Sequence, residues 1–371
     1  MKASEKHIRE PLFHIVKRDE LVWWASWLIR IASVAAALIV CALVTVLLTG
    51  ENPLSVYVTM IDGAIGTERR VWGLLQNIAM LLCVSLAVTP AFKMRFWNIG
   101  AEGQVLVGGM ATAACMILFG EKLPTFVLMP LIIVASMLAG AIWAVIPAFF
   151  KAKWNTNETL FTLMMNYIAI QIVSYFTLQW SVPKGSGQIG VINRETHAGW
   201  IPSLGGYDYL INILIVALLT VLMYIYLKKS KQGYEISVVG ESENTARYIG
   251  INVKKVIIRT MIISGVICGI AGFLLVSGTD HTITRDTAAG RGFTAIMVSW
   301  LAKFNPLYMV LTSFLIVFLQ KGAIEISTIF GLNASFSEII TGIIIFFIIG
   351  SEFFINYTIK FRRSEKGGAA E

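Results

Sequence analysis

An all-α, polytopic membrane protein is the fold class this sequence predicts, on three observations. Of its 371 residues, 56% are hydrophobic and 14% are charged, against about 45–50% and about 25% in soluble domains. The apolar residues gather into runs long enough to cross a hydrocarbon core, which takes about 20 helical residues. The polar stretches between them are short. The longest, 1–27, 181–209 and 228–255, leave no room for a separate soluble domain. Residues 1–27 read as a cytoplasmic N-terminal segment, 28–350 as the transmembrane domain and 351–371 as a cytoplasmic C-terminal tail.

Taken in order, the first span is expected at 28–49, behind Trp23, Trp24 and Trp27, which suit a membrane interface. That run exceeds the about 7–15 residues of a cleaved signal sequence, so it is expected to stay as a span. Spans at 71–91, 104–120, 125–150 and 159–180 follow, then 210–227 and 256–276 behind the two longer polar stretches. Runs at 284–302, 306–320 and 333–350 bring the count to about ten, with 284–302 and 306–320 short or interrupted.

Numbering these spans alternately tests the arrangement, because Lys and Arg accumulate on the cytoplasmic side. With the N-terminus inside, the inner segments carry Lys2, Lys6, Arg9, Lys17 and Arg18, then Lys93 and Arg95, then Lys151 and Lys153. Lys228, Lys229, Lys231, Arg247, Lys254 and Lys255 come next, then Lys303, and last Lys360, Arg362, Arg363 and Lys366. The outer segments mix fewer bases with acids: Arg69 and Arg70 with Glu51, Asp62 and Glu68; Lys184 and Arg194 with Glu195 and Asp208; Arg285 and Arg291 with Asp280 and Asp286. Both termini are therefore expected in the cytoplasm. The same rule accounts for the net charge of +8 without a nucleic-acid partner. Cys41, Cys83, Cys115 and Cys268 all lie in apolar runs without CxxC spacing, and are expected to pack, not to bridge or bind metal.

Spans two to five and seven to ten run in opposite senses, the pattern of a possible inverted repeat with a pathway at the repeat interface. Each block carries one glycine-rich polar break. The first holds Asn98, Gly100, Glu102 and Gly103; the second is Ala289-Gly290-Arg291-Gly292-Phe293. No residue-level self-similarity accompanies them. Irregular backbone at membrane depth must pack on protein or line water, so the first break reads as a pathway or gate element.

The largest inner loop, 228–255, reads KKSKQGYEISVVGESENTARYIGINVKK. It contains a helix-start pattern after Gly240, with acids and a cap over Glu241-Ser242-Glu243-Asn244, and a stop at Gly250. A helix of about two turns is unstable alone and needs bracing by the membrane domain or a partner.

This loop resembles the coupling segment of ABC importer permeases, in the branch serving simple sugars, branched-chain amino acids and nucleosides. The matching residues are Gly233, Val239-Gly240, Glu243-Asn244-Thr245-Ala246-Arg247-Tyr248 and Gly250-Ile251, then Ser264-Gly265 and Gly269-Ile270-Ala271-Gly272. Asn98-Ile99-Gly100-Ala101-Glu102-Gly103-Gln104 is similar to the NIGAEGQ signature of the nucleoside-type permeases. Asn157-Glu158 with Met165-Asn166-Tyr167 resembles their NE…LNY helix, and Gly290, Gly292-Phe293 and Asn305-Pro306 their G-x-GF…NP segment. Ile296–Trp300 and Lys303-Phe304 depart from the small residues more common there.

The resemblance implies a permease domain over 28–350 that carries a nucleoside, with a simple-sugar permease or an ion-coupled transporter as alternatives. It implies two permease chains, ATPase subunits docked on the coupling segment through Gly240, Glu243, Asn244, Ala246, Arg247, Tyr248 and Gly250, and an external binding protein delivering solute to loops such as 181–209. The setting implied is a bacterial-type cell membrane. Asn98, Glu102, Gln104, Asn166 and Phe293 are the expected pathway residues. Glu102 either hydrogen-bonds a ribose or base, or serves as a structural acceptor tying the broken helix together. Gly100 and Gly103 are expected to permit close backbone approach. Glu158 reads as a first-turn acid favoured by the helix dipole. Phe293 either stacks on a base or packs in the core. Without GxxxxGK[ST], HExxH or a nucleophile elbow, no catalytic or metal site is expected, and ATP and Mg belong on the partner ATPase.

Overall fold

The computed structural model describes residues 13–18, 21–50 and 52–361. The orientation markers Lys2, Lys6, Arg9, Glu51, Arg362, Arg363 and Lys366 lie outside the described residues. In chain order the elements are β1 (Phe13–Lys17), α1 (Trp23–Thr49), α2 (Pro53–Ile65), α3 (Glu68–Lys93), α4 (Ala101–Phe119), α5 (Thr125–Trp154) and α6 (Glu158–Gln179). There follow α7 (Leu210–Lys229), α8 (Lys231–Glu241), α9 (Glu243–Tyr248), α10 (Val253–Leu275) with a π turn at Val276–Asp280, α11 (Arg291–Leu301), α12 (Pro306–Ile329), α13 (Ala334–Asn356) and β2 (Tyr357–Phe361).

Among the described residues, nine helices are long and apolar enough to cross a membrane. The predicted span at 284–302 is corrected: residues 281–290 are not helical, and only the 11-residue α11 follows. The cause is local. The stretch Asp280–Gly292 is rich in Thr, Asp, Arg and Gly, and Ala289 and Gly290 both take left-handed backbone, with φ of 51° and 70°. The 306–320 and 333–350 runs lengthen into α12 and α13. Two features outside the coupling segment were not anticipated. One is α2, opened by Pro53 at its first position, where the missing N–H costs nothing. The other is an antiparallel pairing of β1 with β2, from Phe13 opposite Phe361 to Lys17 opposite Tyr357.

The chain forms two compact units, one spanning 65–318 and one combining 1–64 with 319–371. In the smaller unit α1 packs along α13, and Arg30 meets Glu352 at 2.5 Å. The Tyr57 hydroxyl donates to the Leu38 carbonyl. In the larger unit α10 runs between α4 and α5 at very short range. A Cβ on Gly269 would strike the Ser136 carbonyl, and one on Gly108 would lie 2.7 Å from the Cα of Gly269. Lipid tails are as apolar as leucine, so such helices associate through close van der Waals approach, which small residues permit. Cys83 and Cys268 are buried in this packing.

Candidate functional site

The first polar break, residues 94–100, joins α3 to α4, and its polar groups are met from two other helices. From α6, Asn166 accepts from the Gly103 N–H at 2.8 Å and donates to the Ile99 carbonyl at 2.9 Å. Also on α6, Thr162 Oγ1 accepts from the Ile99 N–H at 3.1 Å. From α10, Ser264 takes a hydrogen bond from Asn98 Nδ2 at 3.2 Å. Asn98 Oδ1 itself accepts from the Gly100 N–H at 3.1 Å and from Gln104 Nε2 at 3.3 Å. A bilayer cannot satisfy unpaired N–H and C=O groups, so irregular backbone here survives only because these side chains supply the partners. Gly103 is needed for the approach: a Cβ would sit 2.9 Å from Asn166 Oδ1.

The second break lies against the first. Glu102 stands in the opening turn of α4, and its two carboxylate oxygens accept from the Gly290 and Gly292 N–H groups, both at 2.7 Å. These are the orphan donors at the start of α11, where the helix dipole is positive, so the carboxylate neutralises that helix end. Gly292 admits the contact, since a Cβ there would lie 2.5 Å from the Glu102 nitrogen. Arg291, the first residue of α11, donates to Asn77 Oδ1 of α3 at 3.1 Å and to the Thr287 carbonyl at 3.2 Å.

From this latch α11 runs alongside α3. Thr279, just before it, bonds Gln76. Farther along, Ser299 Oγ donates to the Ser85 carbonyl at 3.1 Å, and Trp300 stacks on Trp97 at 5.8 Å beside Phe92. From Gln76 to Phe92 is about 24 Å of helix. The segment 279–301 therefore traverses the bundle as a loop followed by a half-helix.

The five expected pathway residues separate into two kinds. Asn98, Glu102, Gln104 and Asn166 are all buried and bond within this framework, with Gln104 Oε1 left without a partner among the described residues. Phe293 is 46% exposed, one residue beyond the Gly292 contact. Of the two readings of Glu102, the geometry is that of the structural acceptor. Glu158 opens α6 behind the Asn157 cap and pairs with Lys151 at 2.9 Å. Sequence reasoning missed Thr162, Ser264 and the Arg291–Asn77 contact. Thr162 was findable, because it falls at i+4 between Glu158 and Asn166 on one helical face.

At the Phe92 end of α3 lies the segment expected to couple. It forms two helices where one short helix over 240–250 was expected. Gly240 belongs to α8, seated so closely that a Cβ would overlap the Lys93 carbonyl. Glu235 of α8 pairs with Arg259 of α10 at 2.9 Å. The start signal is real but sits at Ser242, whose hydroxyl caps α9 by accepting from the Thr245 N–H. Gly250 ends it with φ of 86°. Ala246 is buried underneath, while Glu243, Asn244 and Arg247 are exposed and Tyr248 is 93% exposed. A braced helix thus presents one polar–aromatic face outward.

The loop 181–209 is anchored at the opposite end. Trp200 stacks between His197 and His281, with centroids at 4.3 and 3.7 Å. The Ile192 N–H donates to the His281 carbonyl at 2.8 Å. Burial, and then the neighbouring His197, hold the His281 imidazole below its ordinary pKa.

The chain matches the family model for the permease component of the branched-chain amino acid transport system over residues 71–349. It is 30% identical to the guanosine ABC transporter permease protein NupP of Bacillus subtilis, over 85% of this chain and 89% of that one. It is 28% identical to the glucose ABC transporter permease protein TsgB13 of Haloferax volcanii, over 94% and 93%. It is also 28% identical to the nucleoside ABC transporter permease protein NupB of Lactococcus lactis, over 81% and 84%. No solved structure is a significant match.

Proposed function

The chain belongs to the permease family of the branched-chain amino acid transport system, and from that premise we propose that it is the membrane subunit of an ABC importer carrying nucleosides. The carrying observation is the pair of relatives named for guanosine and nucleoside transport, each aligned over more than 80% of both chains. A second reading, simple-sugar import, is favoured by the glucose relative, which aligns over 94% of this chain.

In the proposed mechanism ATPase subunits dock on the exposed face of α9. Their closure is felt by α8, which is fixed to the end of α3 at Lys93 and to α10 through Glu235 and Arg259. Both helices lead to the first break: α3 runs directly into residues 94–100, and α10 holds Asn98 through Ser264. Through Glu102 the break carries the start of α11 with it. Docking is thereby linked to the position of the half-helix and of Phe293. A second permease chain completes the pathway, a binding protein delivers solute at the 181–209 loop, and both termini lie in the cytoplasm. ATP and Mg are held by the ATPase.

The test is to purify the chain with and without its co-expressed ATPase and reconstitute both preparations. The proposal expects ATP hydrolysis and ATP-dependent uptake only with the partner present. Hydrolysis by the isolated chain, or uptake driven by a proton or sodium gradient without ATP, would overturn it.

A further inference from the structure

Arg291 is a charge set inside the helix bundle. Gln76 and Asn77 lie five and six residues beyond Val71, where the apolar run of α3 begins, which is about 8 and 9 Å along the helix. Asn77 Oδ1 holds the Arg291 guanidinium at 3.1 Å, so the cation stands at that depth. An ionisable side chain there is costly and ordinarily pairs with an opposite charge. Arg291 forms no ion pair among the described residues. Its other bonds run from Nη1 to the Thr287 and Ala288 carbonyls, at 3.2 and 3.4 Å, and its Nε donates to none of the described residues. Glu102 is within electrostatic reach, but its two oxygens are committed to the Gly290 and Gly292 amides.

The other carboxylate within electrostatic reach of Arg291 is Asp280, which ends the π turn. Asp280 is exposed, and its carboxylate bonds nothing among the described residues. Beside it Thr279 takes a hydrogen bond from Gln76 Nε2, while Gln76 is 2% exposed and its Oε1 has no partner among the described residues. A buried amide carbonyl is ordinarily satisfied, so the cluster is one donor short. Four elements meet here: α3, the π turn, the start of α11 and the 181–209 loop. The loop arrives through Tyr207, which stacks on Trp72 at 4.4 Å one turn before Gln76, and through Trp200 on His281. Hydrocarbon leaves an unpaired carboxylate and guanidinium unsatisfied, so this side of the bundle suits water and a polar solute.

We infer that Asp280 and Arg291 are solute contacts beneath the 181–209 loop, where Arg291 Nε donates to a carbonyl or hydroxyl oxygen and the Asp280 carboxylate accepts from a hydroxyl. The solute class is neutral and polyhydroxylated. One charge of each sign favours neither an anion nor a cation, yet serves a solute that offers donors and acceptors together; the ribose hydroxyls of a nucleoside do so. Arg291 is held by α3 and by the loop that leads into α11, so a contact made there is felt at the Glu102 latch on the next turn of chain. The inference rests on the nucleoside-importer reading and gives it a recognition pair outside the five pathway residues expected from sequence.

The test uses the full importer complex in proteoliposomes, with its ATPase and binding protein, and compares Asp280→Asn and Asp280→Cys with the native chain. The Asp280 carboxylate bonds nothing in the fold, so Asp280→Asn should leave hydrogen exchange at the 290–293 amides unchanged while raising the KM for guanosine about tenfold. The thiol of Asp280→Cys should react with a membrane-impermeant methanethiosulfonate, about tenfold more slowly under saturating guanosine, with the native chain unlabelled. An unchanged KM in Asp280→Asn overturns the inference. So does a raised KM accompanied by faster exchange at 290–293, which would make Asp280 a structural group. Failure of the water-soluble reagent to label Asp280→Cys would mean a dry contact and also overturn it. In each of these failures the native chain still imports guanosine, and the nucleoside reading stands. Protection by leucine in place of guanosine, its carboxylate and ammonium seated on the two charges, would sink the neutral solute class together with the nucleoside reading.

Discussion

Replacing Glu102 by Gln removes the charge from the latch while keeping its shape. The carboxylate holds two N–H groups at 2.7 Å with little access to water. Hydrogen bonds to a charged partner are worth about 1.5–3 kcal/mol each. The amide keeps one acceptor and turns an NH₂ donor onto the other N–H, so one bond becomes a donor facing a donor. The interaction with the positive helix end, about 0.3–2 kcal/mol, goes as well. Glutamine is easier to bury than a carboxylate, which returns part of the loss. The net expectation is a half-helix seat weakened by about 2–3 kcal/mol. Native-state hydrogen exchange reads this as a loss of protection of about 30- to 160-fold at the amides of 290–293, with α5 and α7 unchanged. Uptake should fall while the protein still assembles in the membrane. Unchanged protection at those amides together with full uptake would refute the latch.

Gly292→Ala places a Cβ 2.5 Å from the Glu102 nitrogen and should cost about 3 kcal/mol, whereas Gly290→Ala, with φ of 70° and open space around it, should cost only the left-handed strain of about 1 kcal/mol; thermal unfolding of the two variants checks the order. Tyr248→Ala, at a side chain 93% exposed, should leave stability within about 0.5 kcal/mol, and Arg247→Glu should cost little more because its pair with Glu243 is exposed. Both should nonetheless lower ATP-driven uptake about tenfold as docking contacts, and unchanged uptake in both would remove α9 from the coupling role. The depressed pKa of His281 stabilises the folded loop fully above the ordinary imidazole value of about 6.5. As pH falls from there toward the folded value, the unfolded chain takes up a proton first and that stability is lost. Exchange at the Ile192 and Ile201 amides should therefore quicken between pH 7.5 and 5.5, and should stay flat in His281→Phe.

The fold was legible where hydrophobic run length alone decides it. Eight of the nine long helices correspond to spans read from 28–276 and 306–350 with only their ends displaced, and α12 is the ninth, lengthened from 306–320. It was illegible where tertiary partners replace the membrane rule. The run 284–302 looked like a span because its apolar residues average with a polar start, but its first half is stabilised by Arg291 on Asn77 and by Glu102 on the α11 amides, contacts between residues far apart in sequence. The two polar breaks were both visible as glycine-rich interruptions; that they form one site was not, since no spacing rule connects Glu102 to Gly290. Burial of Asn98, Gln104 and Asn166 was not visible in the sequence either. Polar residues in an apolar chain suggested a wet pathway; that Asn98 and Asn166 also bond the irregular backbone next to them needed the fold.

ATP-driven nucleoside import is measured by competition in proteoliposomes holding the complete complex with its ATPase and binding protein. Labelled guanosine uptake is measured with ATP inside, against excess unlabelled adenosine, uridine, glucose or leucine. A nucleoside importer gives saturable uptake that requires ATP, is competed by the nucleosides and is indifferent to glucose and leucine. Accumulation of glucose with no uptake or competition by any nucleoside would contradict it.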